Sequence, residues 1–372
     1  MGDLSPAMAV QHLGPSFFSL VRDTPLASRG HRLRERRQRN EKGLCFADTS
    51  SEVGPDGTPI IAPFFAFKLS QQGVDTVELG AIFPQTEISP DPGAVREFVQ
   101  ELEAFNYDHL FIADHVLGAD PAYYAHPSLG RYSHHSVIHE PLTLLAYIAG
   151  ITSRLKLATG ILILPQRQTA LVAKQAAQID VLSQGRMRLG IGVGWNEVEY
   201  EALGQDFHNR GRRSSEQIEV LRALWTQPVV TFNGQWHQIR HAGINPLPIQ
   251  RPIPIWLGVG SSVAPRPPDV ALRRVAHLAD GWCPNIPRGD VGREIVEQVH
   301  QYARDAGRDP DALPLEGRVH LYGKTEDEWA KDVRAWQELG ATSIIAEARG
   351  GGLRFPDQHL EAMRRFKDVI TG

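Results

Sequence analysis

The chain has 372 residues, of which 42% are hydrophobic and 22% charged, with a formal net charge of −4. That is room for one large domain or two ordinary ones, with the composition of a soluble globular protein. The mild acidity offers nucleic acid no electrostatic footing, and no apolar run approaches the ~20 residues of a membrane span. The two cysteines, Cys45 and Cys283, supply neither a disulfide framework nor a thiolate metal cluster, and they suit a reducing cytoplasm.

Residues 1–73 read apart from the rest. Ser28 to Asn40 (SRGHRLRERRQRN) carries six arginines and one glutamate without apolar periodicity, and Glu52 to Pro63 is studded with Gly54, Pro55, Gly57, Pro59 and Pro63. A segment so poor in apolar surface cannot offset its conformational entropy. The expectation is a disordered extension ahead of a domain over 74–372.

From Val77 a rhythm sets in. Short apolar runs recur at 77–83 (VELGAIF), 109–113 (HLFIA), 155–163 (LKLATGILI), 187–194 (MRLGIGVG), 253–259 (IPIWLGV), 281–284 (GWCP), 318–323 (RVHLYG) and 343–348 (SIIAEA). Amphipathic stretches alternate with them. Asp91-Pro92 opens one carrying Val95, Phe98, Val99 and Leu102, and Glu140-Pro141 opens the next, to Ile151. Others span 169–182, 212–224, 268–278, 291–306, 325–339 and 356–370. Eight buried strands, each followed by a helix, predict an α/β protein of the (β/α)8 TIM-barrel class. Val229 to Pro252 interrupts the rhythm before the fifth strand. It reads as a hairpin with Asn233-Gly234 as its turn, then a proline-rich loop.

A barrel of this kind works at the C-terminal ends of its strands. Those ends hold Phe83, Asp114-His115, Gly160-Ile161, Gly192 to Asn196 and Gly258 to Ser262, a set rich in glycine and poor in acid–base groups. Bare strand ends let a flat ring or a phosphate approach the backbone, which points to a large cofactor that carries the chemistry itself. Gly190-Ile-Gly-Val-Gly194 has the spacing GxGxG, lies mid-chain and fits no dinucleotide fingerprint. Gly258-Val-Gly-Ser-Ser262 stands between a strand and a helix, where backbone N–H groups and hydroxyls could cradle a phosphate. The first strand lacks the HxH of barrel metallohydrolases, so no metal is expected. Arg210, Arg212 and Arg213 open a helix. They would meet either the anionic tail of a cofactor or surface carboxylates.

The block TGILILPQRQTALVAKQAAQIDVLSQGRMRLGIGVGW and the following NEVEYEALGQDFHNRGRRSSEQIEVLRALW resemble the luciferase-like monooxygenase superfamily, as do PIWLGVGSS and LADGWCPN. Within it they resemble the branch of coenzyme F420-dependent oxidoreductases. The resemblance covers Val77 to Gly372 and implies a tricyclic ring bound at the strand ends. It places Gly160-Ile161 where deazaflavin members carry a non-proline cis peptide, and Asn196, Gly258 and Val259 against the ring. His115 falls where a family histidine faces substrate. Trp195 stands where those relatives place an acid, and Gly-Val-Gly where most show Gly-Gly.

The reading implied is hydride transfer between F420 and a small organic substrate. His115 is the acid–base candidate, and Gly192, Gly194, Gly258, Gly260 and Ser261 are the positions of backbone approach. Phe83, Asp114 and Trp195 are the pocket candidates. The alternatives are an FMN-dependent monooxygenase served by a flavin reductase, or a flavin-binding relative without catalysis. A small-molecule substrate and a homodimer are the other partners this implies; nucleic acid and membrane are not among them.

Overall fold

The computed structural model describes residues 77–88, 91–125, 132–261 and 264–371. The expected extension over 1–73 and the Ser262 of the phosphate loop lie outside the described residues.

In chain order the strands are β1 (Glu78–Ile82), β2 (His109–Ile112), β3 (Lys156–Thr159), β4 (Leu162–Ile163), β5 (Met187–Gly192), β6 (Val230–Asn233), β7 (Gln238–Ala242), β8 (Ile255–Gly260), β9 (Gly281–Asn285), β10 (Leu315–His320) and β11 (Ala341–Glu347). The helices are α1 (Pro92–Ala104), α2 (Pro141–Ala149), α3 (Thr169–Leu182), α4 (Glu197–Ala202), α5 (Arg210–Thr226), α6 (Asp269–Leu278), α7 (Asp290–Asp305), α8 (Glu326–Gln337) and α9 (Asp357–Thr371).

All neighbouring barrel strands pair in parallel, and β1 bonds to both β2 and β11, so the sheet closes on itself. The eight positions are β1, β2, β3, β5, β8, β9, β10 and β11. Strand β4 continues the third after the Gly160–Ile161 peptide, which is cis.

Local sequence explains where the helices begin. The Asp91 side chain accepts the Gly93 N–H ahead of Pro92, and Glu140 does the same for Thr143 ahead of Pro141. Thr325 and Glu328 form a reciprocal capping box on α8. The apolar stripes then bury outside the barrel, where Phe98, Leu145, Ala176, Leu221, Val275 and Phe366 are each fully buried.

Inside the barrel the filling is largely polar. The Arg188 guanidinium lies between the rings of Phe111 (4.6 Å) and Trp256 (4.0 Å) and pairs with Glu316. The Glu316 carboxylate also accepts from Cys283 Sγ (2.9 Å) and from the Ser343 hydroxyl (3.4 Å), and Ser343 meets His109 Nε2 at 3.0 Å. A small apolar group, Ile82, Phe111, Ala158 and Ile345, completes the interior.

The short helix α4 was not expected from the sequence, and two expected elements differ from their reading. The seventh strand begins at Leu315, three residues ahead of the run at 318–323, because Glu316 to His320 register with Ser343 to Glu347. Tyr322 and Gly323 fall in the exposed turn after it. The hairpin forms, but its turn spans Gly234 to His237, since Asn233 pairs with Gln238. The Glu216 carboxylate accepts the N–H groups of Gln235, Trp236 and His237 and so holds the longer loop.

The barrel wall is uneven. Strands β10 and β11 pair at six positions and β8 and β9 at five, whereas β9 and β10 pair at one, Trp282 with Leu315.

Candidate active site

Where β2 ends, the chain crosses the barrel mouth as Ala113-Asp114-His115. The His115 ring is fixed from several directions. Its Nδ1 lies 2.9 Å from Glu199 Oε2, the Tyr132 ring stacks on it with centroids 3.8 Å apart, and the Trp195 indole stands edge-on at 5.7 Å. Glu199 comes from the short helix α4, its side chain wholly buried. It also accepts the Val116 N–H (2.7 Å), the Leu117 N–H (3.2 Å) and the Gln166 amide (3.5 Å). Burial works to raise the Glu199 carboxyl. The hydrogen bond and charge of His115 and the two backbone N–H groups outweigh it and hold the carboxyl below its ordinary value.

Beside the histidine the mouth is bare. A Cβ on Gly192 would fall 2.6 Å from Ile161 Cδ1, and one on Gly258 would fall 2.8 Å from Ile161 Cγ2. Only hydrogen fits at either position while Ile161 keeps its place. Gly194 (φ +65°) and Gly260 (φ +82°) hold left-handed backbone at the same rim. Half-buried Val259 lies between Gly258 and Gly260, and the Ser261 hydroxyl accepts the Ala264 N–H at 3.1 Å. Asn196 is buried and donates to the Leu117 carbonyl at 3.4 Å. Gly192 and Gly258 thus leave the branched apolar side chain of Ile161 flanked by backbone, the kind of surface a flat ring could approach closely.

Two pocket candidates lie elsewhere. Phe83 is fully buried behind the strand end, edge-on to Phe98 (5.7 Å) and Phe355 (6.1 Å), because the alternation of β1 turns it to the outer core. Asp114 is buried in a two-point contact with Arg167 (2.7 and 3.2 Å) and accepts the Ile163 N–H at 2.9 Å. It ties β2 to the third strand position instead of facing the mouth. The helix-start arginines form no ion pair among the described residues, contrary to the surface-carboxylate reading. Arg210 lies over the Phe207 ring at 3.7 Å, and buried Arg213 donates to Gln205.

Sequence reasoning missed Glu199, because nothing in NEVEYEA separates the buried acid from exposed Glu197 and Glu201. It also missed the charged rim of the last two strands. There Glu347 is ion-paired with Arg349, stands 3.0 Å from His320 and lies 3.8 Å from Arg318. A cavity of about 210 Å³ opens beside this rim in the gap between β9 and β10, reaching Cys283, Glu316, Arg318 and Trp336.

The model of the luciferase-like monooxygenase family matches residues 63–366. An uncharacterised protein of Mycobacterium tuberculosis is 35% identical over 212 residues, 56% of this chain and 68% of its own length. The FMNH2-dependent dimethylsulfone monooxygenase of Pseudomonas putida is 31% identical over 213 residues, 56% of this chain and 54% of the relative. Among solved structures, an F420-dependent secondary alcohol dehydrogenase in complex with an F420-acetone adduct superposes with a TM-score of 0.63. It has 15% identity over 79% of this chain and 98% of that one.

Proposed function

The chain belongs to the luciferase-like monooxygenase family of oxidoreductases, and on that premise we propose that it transfers a hydride between deazaflavin coenzyme F420 and a small organic substrate. The observation that carries this reading is one histidine, backed by a buried carboxylate, at strand ends where glycines leave Ile161 flanked by bare backbone. Gly160, Ile161, Gly192, Asn196, Gly258 and Val259 would lie against the ring, and Gly194, Gly260 and Ser261 would admit its phosphate-bearing tail. When bound, the deazaflavin supplies the hydride chemistry and reacts little with oxygen. The chain's own residues do the rest. Ile161 and Trp195 orient the reactants and exclude water, and His115 holds or takes the proton at Nε2.

The similarity to an FMNH2-dependent monooxygenase favours a second reading, in which the cofactor is FMN reduced by a separate reductase. A binding titration of the purified chain with F420 against FMN tests the choice. Submicromolar F420 binding, with anaerobic oxidation of the reduced cofactor, is expected. Preference for FMN, with oxygen uptake, would overturn the F420 reading.

A further inference from the structure

We propose that Glu199 is the positioning residue for His115, fixing which ring nitrogen is free to exchange a proton with substrate. The inference starts from the donors that converge on one buried carboxylate. Glu199 Oε1 is committed to the Val116 and Leu117 N–H groups, and Oε2 faces His115 Nδ1 and the Gln166 amide. An ionised carboxylate only accepts, so the 2.9 Å contact requires the proton on Nδ1. Nε2 is then the bare nitrogen of the neutral ring, and among the described residues no hydrogen-bond partner occupies it. Tyr132 stacked at 3.8 Å prevents the ring from turning over to exchange the two nitrogens.

The arrangement obeys the general rule that a histidine's tautomer is set by the bond its other nitrogen makes. Glu199 also fastens the first residues of the loop leaving β2, so one carboxylate fixes both the ring and the backbone that carries it. The other two acids of α4 do not share this role. Glu197 is exposed and faces His208 at 3.8 Å, and Glu201 is exposed on the outer side of α4.

The proposal makes an unusual demand of Glu199→Gln. The Val116 and Leu117 N–H groups would claim the amide oxygen, leaving the amide NH2 to face His115 Nδ1. Nδ1 must then accept, and the ring proton moves to Nε2. The probe is 15N-histidine labelling of the full chain, with the His115 ring signals assigned by their loss in His115→Gln. In the unsubstituted chain the neutral ring should carry its proton on Nδ1, a measurement that needs no cofactor and no change at Glu199. In Glu199→Gln it should move to Nε2. With the proton misplaced, kcat should fall by ~10²–10⁴-fold while KM and cofactor affinity stay within about twofold.

An Nε2–H tautomer in the unsubstituted chain would overturn the proposal, as would a folded Glu199→Gln with its tautomer unmoved. This inference rests on reading His115 as the acid–base group, and the two fail separately. A tautomer that flips with turnover unchanged would remove His115 from the chemistry and leave Glu199's control of the ring standing.

Discussion

A side chain's value at the barrel mouth depends on which way its strand turns it, and His115 and Asp114 show this one residue apart. Asp114 points back to Arg167 and is spent on holding strands together, while His115 faces Trp195 and Tyr132. His115→Ala should therefore lower kcat by ~10²–10⁴-fold and leave cofactor affinity nearly unchanged, as steady-state kinetics and a titration would show. Asp114→Asn should act on stability instead, because removing one partner of a buried ion pair typically costs ~3–5 kcal/mol. Denaturant unfolding would read that loss. The histidine was legible in the sequence because it follows a short apolar run and the family resemblance marks it. Its carboxylate was not, since burial of one glutamate among the three acids of α4 depends on how that helix packs against the loop from β2. Phe83 was misjudged for a related reason: strand period gives the two faces of β1 but not which face closes on the barrel axis.

Among the elements, the third strand position and its neighbours define the mouth, and their glycines are steric necessities. Gly258→Ala would place a methyl 2.8 Å from the branch carbon of Ile161. A β-branched side chain has few ways to yield. The expected result is a loss of ~1–3 kcal/mol in stability, together with weaker cofactor binding as Ile161 shifts. Unchanged affinity would show that the ring does not lie against Ile161.

The hairpin β6–β7 offers a contrast. Glu216 receives three consecutive backbone N–H groups and the His237 ring, so Glu216→Ala should loosen the hairpin and lower the melting temperature while leaving cofactor binding intact. Seven of the eight barrel strand positions and the outer helices follow their hydrophobic periods, and α3 lies where the pattern placed it. The seventh strand slipped by three residues because Tyr322 extends its apolar pattern into a turn, while its true start, Leu315-Glu316, hides an acid that Arg188, Cys283 and Ser343 together make tolerable inside a barrel.

At the scale of the whole molecule, several carboxylates are ionised more readily in the fold than in the free chain. Glu347, beside His320, Arg349 and Arg318, is held far below the ordinary range against the burial that would raise it, and Glu199 and Glu140 are also lowered. A depressed folded value means that the unfolded chain takes up protons first. This contribution is whole above the unfolded carboxylate pKa of about 4.3 and is lost as pH falls through the folded values. Stability measured by denaturant should thus drop steeply below about pH 5, and Glu347→Gln should flatten that dependence. We also propose that the sequence ahead of the barrel adds little to its folding. The family match begins at residue 63, the last of the proline-rich stretch, so removal of residues 1–62 should leave the melting temperature nearly unchanged. A large loss would show that this segment docks on the barrel.

The single pairing between β9 and β10 makes the closed sheet a hoop with one weak link. A hoop opens where the fewest bonds must part, so slow breathing of the barrel should concentrate there. In native-state deuterium exchange, amides of Glu316 to His320 that are not bonded to β11 should exchange far faster than those of β1 and β2. If they do, the wall beside the 210 Å³ cavity is the part of the molecule that can yield to an incoming molecule without unclosing the rest.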